Sequence, residues 1–352
     1  MMLFGSFLCG FLLKRICKNF IYNPNVIDYL KMYKERKNNM YSKYIEVPRK
    51  LTSYEFYNNL LLQKSQLSLQ NNQEIVLDFS KTDSIEPLTI PNLLCLGYEI
   101  RRKYRKTAII YIPETSSSGG IKNYLNQIGF IEYARKYGLY EFASLPYGGI
   151  DGKKIDPLCG TLYFDINSTI DEINRGVEWC VAPFTEQYLI KFRNPYFGEK
   201  KEIRYDNDIC NFLEEVISNC KIHAESFSFT TLHAKYSAGK IYIAVSDFGC
   251  GFLETMRKKS ECENEITAIL AGIYRRRDSK VYGLYNVIRK VLEYGGKFRI
   301  HSKNVQIIFT PRLYGDFVDG KLLGNWEFQK YNIKKNIPFD GVHIEIELPM
   351  QK

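Results

Sequence analysis

Histidine and tryptophan are scarce in this sequence, with four His and two Trp among 352 residues. Its nine cysteines stand singly, and none forms a Cys-x-x-Cys pair. A zinc site needs clustered Cys and His ligands, and a disulfide framework needs an even set of cysteines at regular intervals. We therefore expect reduced thiols in a cytoplasmic protein, several of them packed as small apolar side chains, and neither zinc nor disulfides.

The apolar stretch at residues 2–13 is too short to cross a bilayer. Its twelve uncharged residues span about 18 Å as a helix, against a hydrocarbon core of roughly 30 Å. Lys14, Arg15 and Lys18 follow it, whereas a secretory signal carries its charges before the apolar run. Two interpretations stay open: packing on the protein's own core or self-association, which we prefer, and peripheral contact of residues 1–20 with an anionic membrane surface.

Positive charge is in excess mainly at the N-terminus. Residues 1–50 hold ten Lys/Arg against three Asp/Glu, a net of +7 out of the total of +10. We therefore expect a basic N-terminal arm, residues 1–55. Another basic cluster lies at residues 101–106, but no recognised DNA-binding motif accompanies either, so nucleic acid is not an expected partner.

Strand and helix patterns alternate through residues 56–145. Short β-branched runs at 75–79 and 108–112 predict buried strands. Apolar residues at helical spacing predict helices at 54–65, 88–103 and 121–128. This order predicts an α/β fold with a parallel sheet.

The amino-acid sequence of this region resembles that of STAS domains, the fold of anti-anti-sigma factors. The matching segments are IVLDFSKTDSIEP (75–87), AIIYIP (108–113) and YLNQIGF (124–130). A phosphorylated STAS domain carries Ser in an Asp-Ser-Ser/Thr-Gly turn, whereas residues 86–89 here read Glu-Pro-Leu-Thr. The resemblance implies a degenerate STAS-like domain at 56–145, without that phosphorylation switch.

Residues 146–205 show weaker patterns. A strand is predicted near 160–165 and a helix near 169–180. We interpret the segment as a connector between two domains.

An amphipathic helix predicted at residues 208–222 brings three polar residues onto one face. Glu215, Asn219 and His223 follow one another at intervals of four residues, which places them in a row along the helix. Taken alone, such a triplet is also typical of a solvated helix face.

Two glycine-containing motifs follow this helix. Asp247 ends a predicted strand and is followed by Gly249 and Gly251, which permit close approach of the backbone to a ligand. The Asp carboxylate can accept a hydrogen bond from an exocyclic amine. Further on, Gly283 and Leu284 open a helix whose N-terminal N–H groups can bind phosphate.

The order Glu-x-x-x-Asn, Asp-x-Gly-x-Gly and Gly-Leu resembles the GHKL superfamily of ATP-binding domains, which includes gyrase-type ATPases, histidine kinases and anti-sigma-factor kinases. The resemblance covers roughly residues 205–350 and includes the GVHIEIELP ending at 341–349. It implies a second domain at 206–352 that binds Mg-ATP. It also implies an α/β sandwich in which a mixed sheet carries helices on one face.

The resemblance also implies a role for each motif residue. Asn219 is expected to coordinate Mg²⁺ at the phosphates, and Glu215 is the expected catalytic group, holding or activating a water. Asp247 is expected to accept from the adenine amino group. The remaining expected nucleotide-binding residues are Gly249, Gly251, Gly283 and Leu284.

One departure from the family concerns the phosphate side. The third motif is usually Gly-x-Gly-Leu, and Tyr282 stands at one of its glycine positions. Lys280 and the three arginines at 275–277 can supply phosphate contacts as charges instead, although a solvated basic turn has the same composition.

The leading expectation is a regulatory or signalling protein in which Mg-ATP controls a partner or dimer interface of the STAS-like domain. Hydrolysis of ATP and phosphorylation of a partner Ser/Thr both stay open. A histidine kinase is not expected, since His233, His301 and His343 lack the helical hairpin that carries a phosphoacceptor. The alternatives, in order, are a non-catalytic interaction protein with a decayed ATP site and a nucleic-acid-associated ATPase.

Overall fold

The computed structural model of the protein describes residues 42–70, 73–113, 118–143, 159–187, 205–235, 238–257, 262–275 and 283–350. Several features expected from the sequence lie outside these ranges: the apolar stretch 2–13, the arm up to residue 41, the connector segments 144–158 and 188–204, and the lid residues 276–282. Within the described residues, no helix combines the length and the apolar character needed to span a bilayer.

The first sheet is parallel. The strands of this part of the chain are β1 (Ser42–Glu46), β2 (Lys50–Leu51), β3 (Glu74–Asp78), β4 (Ser84–Ile85), β5 (Ala108–Tyr111) and β6 (Tyr140–Phe142). Four of them pair in the order β1-β3-β5-β6, all parallel, and β2 pairs with β4 separately. The alternation of strands and helices therefore predicted this sheet type correctly.

The helices of this part lie close to their predicted positions. They are α1 (Ser53–Glu55, a π-helical turn Phe56–Leu60, then Leu61–Ser65), α2 (Thr89–Tyr104), α3 (Ser118–Gln127) and α4 (Phe130–Lys136). Helix α2 starts just after Pro87 and ends at Arg105, which takes up the left-handed conformation at φ 56°. A left-handed residue at this position is a common way to end a helix.

The second sheet is antiparallel throughout, which corrects the expectation of a mixed sheet. Its strands are β7 (Cys159–Phe164), β8 (Ser228–Lys235), β9 (Lys240–Asp247), β10 (Lys297–Phe309) and β11 (Ile333–Pro349). They are ordered β10-β11-β9-β8-β7. The last strand, β11, lies between β9 and β10 and runs antiparallel to both. Strands β9 and β10 therefore run in the same direction but are not neighbours.

Helices cover one face of this sheet. The helices of this part are α5 (Ile170–Gln187), α6 (Tyr205–Asn219, continued by a π-helical turn Cys220–Ala224), α7 (Phe252–Arg257), α8 (Glu265–Tyr274), α9 (Leu284–Glu293), α10 (Tyr314–Val318) and α11 (Trp326–Asn332). Helices α5, α6, α8 and α9 share one apolar core with the sheet. The segment interpreted as a connector therefore contributes β7 and α5 to this unit.

The insertion at residues 312–341 also joins this unit. It supplies α10, α11 and the first half of β11, which pairs with the end of β10 as far as Ile333 opposite Ile307. Phe317 and Phe328 from the two helices are fully buried in the core.

The other face of the second sheet is also covered by helices, which corrects the expectation of helices on one face. Helix α2 contacts β8 and β9, and α1 contacts β11. The side chains of α2 are buried on every side from Thr89 to Gly97, as expected for a helix enclosed between two sheets. The two sheets therefore share α2.

Asn92 in α2 forms a polar link to the second sheet and is 0% exposed. Its Oδ1 accepts from the Ser246 hydroxyl at 2.6 Å, and its Nδ2 donates to Glu345 Oε1 at 3.1 Å. Ser53 of α1 donates to the other oxygen of Glu345 at 2.6 Å. These bonds attach both helices to fixed positions on β9 and β11.

The substitution Asn92→Leu keeps a similar volume but leaves Ser246 and Glu345 without this partner. Unsatisfied buried polar groups cost about 1–3 kcal/mol each, so we expect the free energy of unfolding in urea to fall by at least about 2 kcal/mol. The control is Asn59→Leu, at an exposed Asn whose Nδ2 donates to Glu55 Oε2, where a change within about 0.5 kcal/mol is expected. Equal losses in the two variants would contradict the proposed importance of the link.

Candidate functional site

A cavity lies on the face of the second sheet that is covered by α5, α6, α8 and α9. Five of the seven expected catalytic and nucleotide-binding residues line it: Glu215, Asn219, Asp247, Gly251 and Leu284. They come from α6, the end of β9, the loop after it and the start of α9. The cavity itself measures about 100 Å³, and the space between its walls, including the open mouth, is about 820 Å³.

Helix α6 contributes the first two polar groups. Asn219 Nδ2 donates to Glu215 Oε1 at 2.7 Å, so each side chain orients the other. The bond leaves Asn219 Oδ1 as an oxygen ligand for a cation. After Asn219 the helix widens into the π-helical turn Cys220–Ala224, a distortion that is frequent at functional sites, and His223 of this turn lines the cavity as well.

Asp247 lies at the bottom of the cavity and is 2% exposed. The N–H groups of Gly249 and Val342 donate to the same oxygen, Oδ1, at 2.8 and 3.0 Å. The Cys220 thiol lies close enough for the Asp247 charge to add to burial in raising the pKa of that thiol. The second carboxylate oxygen, Oδ2, accepts from neither of these backbone N–H groups.

Burial raises the pKa of Asp247 from 3.8 to about 6, although the two backbone N–H groups act in the opposite direction. A folded-state pKa above the unfolded-state value means that the folded protein holds the proton more tightly. This contribution to stability is therefore present at low pH and is lost as the pH rises through about 6. Keeping the carboxylate ionised at neutral pH costs the fold about 3 kcal/mol.

Two glycines permit close backbone packing beside Asp247. A Cβ on Gly249 would lie 2.3 Å from Cβ of Ala224, in the π-helical turn. A Cβ on Gly341 would lie 2.0 Å from the Asp247 carbonyl oxygen, and Gly341 has φ +94°, which is unfavourable for other residues. Gly249 of the sequence motif therefore does not line the cavity itself but packs against Ala224, which does.

The loop after Gly251 is fastened to β10. Glu265 Oε1 accepts from the N–H of Phe252 at 3.0 Å and also accepts from the Ser302 hydroxyl. The carboxylate therefore caps α7 at its N-terminus and ties α7 to the start of α8. Thr255 Oγ1 donates back to the Gly251 carbonyl at 2.9 Å, which holds this side of the cavity in place.

Helix α9 borders the cavity at the opposite side. Gly283 is its extended N-cap, with φ −161°, and Leu284 is the first helical residue and part of the wall. Gly283 itself does not line the cavity. Of the arginines expected to contact phosphate, Arg275 lines the cavity, and the other two lie outside the described residues.

Sequence reasoning missed the apolar part of the wall, formed by Val216, Cys220, Phe252, Met256, Val342 and Ile344. Val342 and Ile344 alternate on β11, so their common face could have been predicted from the strand pattern. The others have the residue types of ordinary core positions and carry no feature that marks a site.

No protein-family model matches this chain, and no curated protein matches it either. Among the described residues, no group of three or more His, Cys, Asp or Glu side chains is arranged to hold a metal ion. The side chains that converge on the cavity are therefore the basis for a functional proposal. One amide oxygen suffices only for a cation that takes its other ligands from phosphates and water, as Mg²⁺ does.

The substitution Gly249→Ala tests the close packing against Ala224. The new Cβ meets backbone atoms that cannot rotate away, so we expect a loss of about 1–3 kcal/mol in the free energy of unfolding. The matched control is Gly315→Ala in α10, where an added Cβ meets nothing within 4 Å and a gain of up to about 1 kcal/mol is expected. Urea midpoints that are equal for Gly249→Ala and the wild type would show that the two segments do not pack closely.

Proposed function

We propose that this cavity binds Mg-ATP or Mg-ADP and that the protein is a GHKL-type regulator joined to a STAS-like unit. The observation that supports this most strongly is the convergence of Glu215, Asn219, Asp247, Gly251 and Leu284 on one cavity. These residues are far apart in the sequence, and their order is the one typical of GHKL nucleotide sites.

The adenine base occupies the deep end in this proposal. Asp247 Oδ2 accepts from the exocyclic amine, while Oδ1 keeps its two backbone donors. Met256, Val342 and Ile344 provide apolar surface beside it. A single buried carboxylate among apolar side chains selects a flat, uncharged ring that carries an amine donor.

The phosphates lie toward α6 and α9. Asn219 Oδ1 would hold Mg²⁺, which would neutralise phosphate charge. Glu215, fixed by its hydrogen bond with Asn219, is positioned to orient a water and accept its proton. Arg275 and the first N–H groups of α9 supply the remaining positive charge.

A regulatory role is suggested by helix α2, which packs on the face of the second sheet opposite the cavity. Helix α2 of the STAS-like unit contacts the same strand end, since the Cys95 thiol is 3.7 Å from the Asp247 carbonyl oxygen. Asn92 binds Ser246, the residue before Asp247. Nucleotide occupancy can therefore alter an interaction made by the STAS-like unit, with or without ATP hydrolysis or Ser/Thr phosphorylation.

One observation favours a second candidate function, a non-catalytic interaction protein with a decayed ATP site. Tyr282 replaces a glycine that normally approaches the phosphates. A protein of this kind would keep the fold and the apolar cavity but would not bind triphosphate.

Thermal unfolding with and without Mg-ATP tests the proposal. A ligand at a hundredfold excess over its Kd stabilises a fold by about 2.7 kcal/mol, so we expect Tm of the wild type to rise by about 5 °C. The substitution Asp247→Asn keeps an oxygen for the two backbone donors but replaces Oδ2 with an N–H donor. This donor faces the adenine amine, so the shift should disappear.

The control is Asp83→Asn, which removes an equal charge from an exposed ion pair with Arg49 and should leave the shift unchanged. Omitting Mg²⁺ should reduce the shift. Absence of any shift in the wild type with ATP or ADP, with or without Mg²⁺, would favour the second candidate function.

The pH dependence of adenosine binding tests the role of Asp247 separately. Adenosine carries no phosphate to titrate, and Asp247 has a pKa of about 6. Protonation removes the acceptor, so affinity measured by calorimetry should fall about tenfold between pH 8 and pH 5, where about a tenth of the carboxyl groups remain ionised. In Asp247→Asn the affinity should be low and independent of pH, and the same pH dependence in both proteins would contradict the assignment.

A further inference from the structure

A second cleft opens on the opposite face of the second sheet. It lies between the C-terminal end of α2 and the edge formed by β7 and β8, so both units line it. None of the residues that line the nucleotide cavity contributes to it. The proposed nucleotide site does not account for this cleft.

Four cations line this cleft: Arg101, Arg102, Arg105 and Lys106. Its lining contains no Asp or Glu. Arg102 is neutralised by Asp340 at 2.6 Å and lies over the ring of Phe248. The cleft therefore has positive charge in excess.

Lys106 donates to the Gln73 carbonyl at 2.6 Å, so Arg101 and Arg105 are the two guanidinium groups left to contact a ligand. Arg101 donates to the carbonyls of Tyr137 and Gly138, at 2.9 and 3.2 Å, and neither arginine forms an ion pair with a described residue. The end of a helix attracts cations, which accounts for arginines in the last turn. Arg105 is the C-cap of α2, in the left-handed conformation, and it lines the cleft together with the arginines of the last turn.

Aromatic rings form the wall beside these cations. Tyr137 and Tyr163 lie 4.1 Å apart between ring centroids, and Tyr98 and Phe227 lie 4.8 Å apart. Tyr163 and Phe227 connect the two pairs at 5.9 Å. Guanidinium groups beside a continuous ring surface bind anions that also carry a planar group.

The size of the cleft excludes a small inorganic anion as its best occupant. The cleft measures about 430 Å³, within the range for sites that enclose organic ligands. A phosphate ion would contact the arginines and leave the aromatic wall in water.

We propose that this cleft binds a nucleoside phosphate, either free or as one unit of a single-stranded nucleic acid. Arg101 and Arg105 contact the phosphate, and the base packs against Tyr98, Tyr137 and Tyr163. Arginine with stacked aromatic side chains is the combination that proteins use for single strands without sequence preference. From the sequence, the basic cluster at 101–106 supported a nucleic-acid-associated ATPase only as the last-ranked alternative, because the aromatic residues that complete the cleft come from segments far from that cluster.

The experiment uses a fluorescein-labelled oligothymidylate of about eight nucleotides, within the usual span of single-strand sites. Thymine has no exocyclic amine, so this probe avoids the adenine cavity. In anisotropy titrations on the full chain, we expect Arg101→Gln/Arg105→Gln to bind at least about tenfold more weakly than the wild type. The slope of log affinity against log salt should fall by about 1.4, or about 0.7 for each lost phosphate contact.

The control is Lys50→Gln/Lys81→Gln, which removes the same charge from two exposed positions outside the cleft, at the start of β2 and after β3, and should bind as the wild type does. Since Arg101 also holds two carbonyls, Arg105→Gln alone is the second variant; it should lose about half of the slope change with an unchanged Tm. Equal losses in the control, or no effect of either arginine variant, would overturn the proposal.

Competition with thymidine monophosphate distinguishes a free nucleoside phosphate from a single-stranded nucleic acid as the ligand. Displacement of the labelled strand by the mononucleotide at millimolar concentration would identify a free nucleotide as sufficient. Binding of the strand without displacement would identify a single-stranded nucleic acid as the ligand. Failure of both probes to bind would refute a nucleoside phosphate site.

Discussion

Asn92 hydrogen-bonds helix α2 to the middle of the second sheet, and the arrangement of the two sheets depends on this contact. The helix carries apolar residues around its whole circumference, so apolar packing alone would tolerate rotation or sliding between the sheets. The bonds to Ser246 and Glu345 are directional. A displaced helix would leave a buried amide, a hydroxyl and a carboxylate without hydrogen-bond partners. Any other position of α2 on the sheet would therefore be higher in free energy.

The face that Asn92 contacts is polar, because β10 and β11 alternate apolar and charged residues. Arg299 lies opposite Glu345 and binds both Glu345, at 3.2 Å, and Glu347, at 2.5 Å. Helices α1 and α2 remove these groups from water, and burial raises the pKa of Glu345 to about 6. A buried ion pair of this kind adds little net stability, but loss of one partner leaves an uncompensated charge. This polar face therefore contributes more to the position in which the two units dock than to the free energy of their docking.

The sequence allowed the strands and helices to be predicted but not their partners. The alternation in residues 341–349 identifies a strand with Ile344 and Ile346 on its core side, and both are buried there. The same pattern contains nothing to show that helices cover the charged side. The strand near 160–165 was predicted too, but it pairs with β8 some 70 residues later, and short-range patterns do not encode that pairing. Motif spacing found the polar groups of the cavity, whereas its apolar wall has ordinary core composition.

At the end of β9, two neighbouring residues make contacts on opposite faces of the second sheet. Side chains alternate along a strand, so Ser246 points to α2 while Asp247 points into the cavity. Burial raises the pKa of the Asp247 carboxyl group, so its ionised form is disfavoured, and a hydrogen-bond donor placed beside the carboxylate would relieve part of that cost. Any movement of its backbone is transmitted directly to Cys95 and Asn92, because they contact Asp247 and its neighbour. A coupling between the cavity and the unit that contains α1 and α2 would need no extended pathway through the core, since both contact the end of β9.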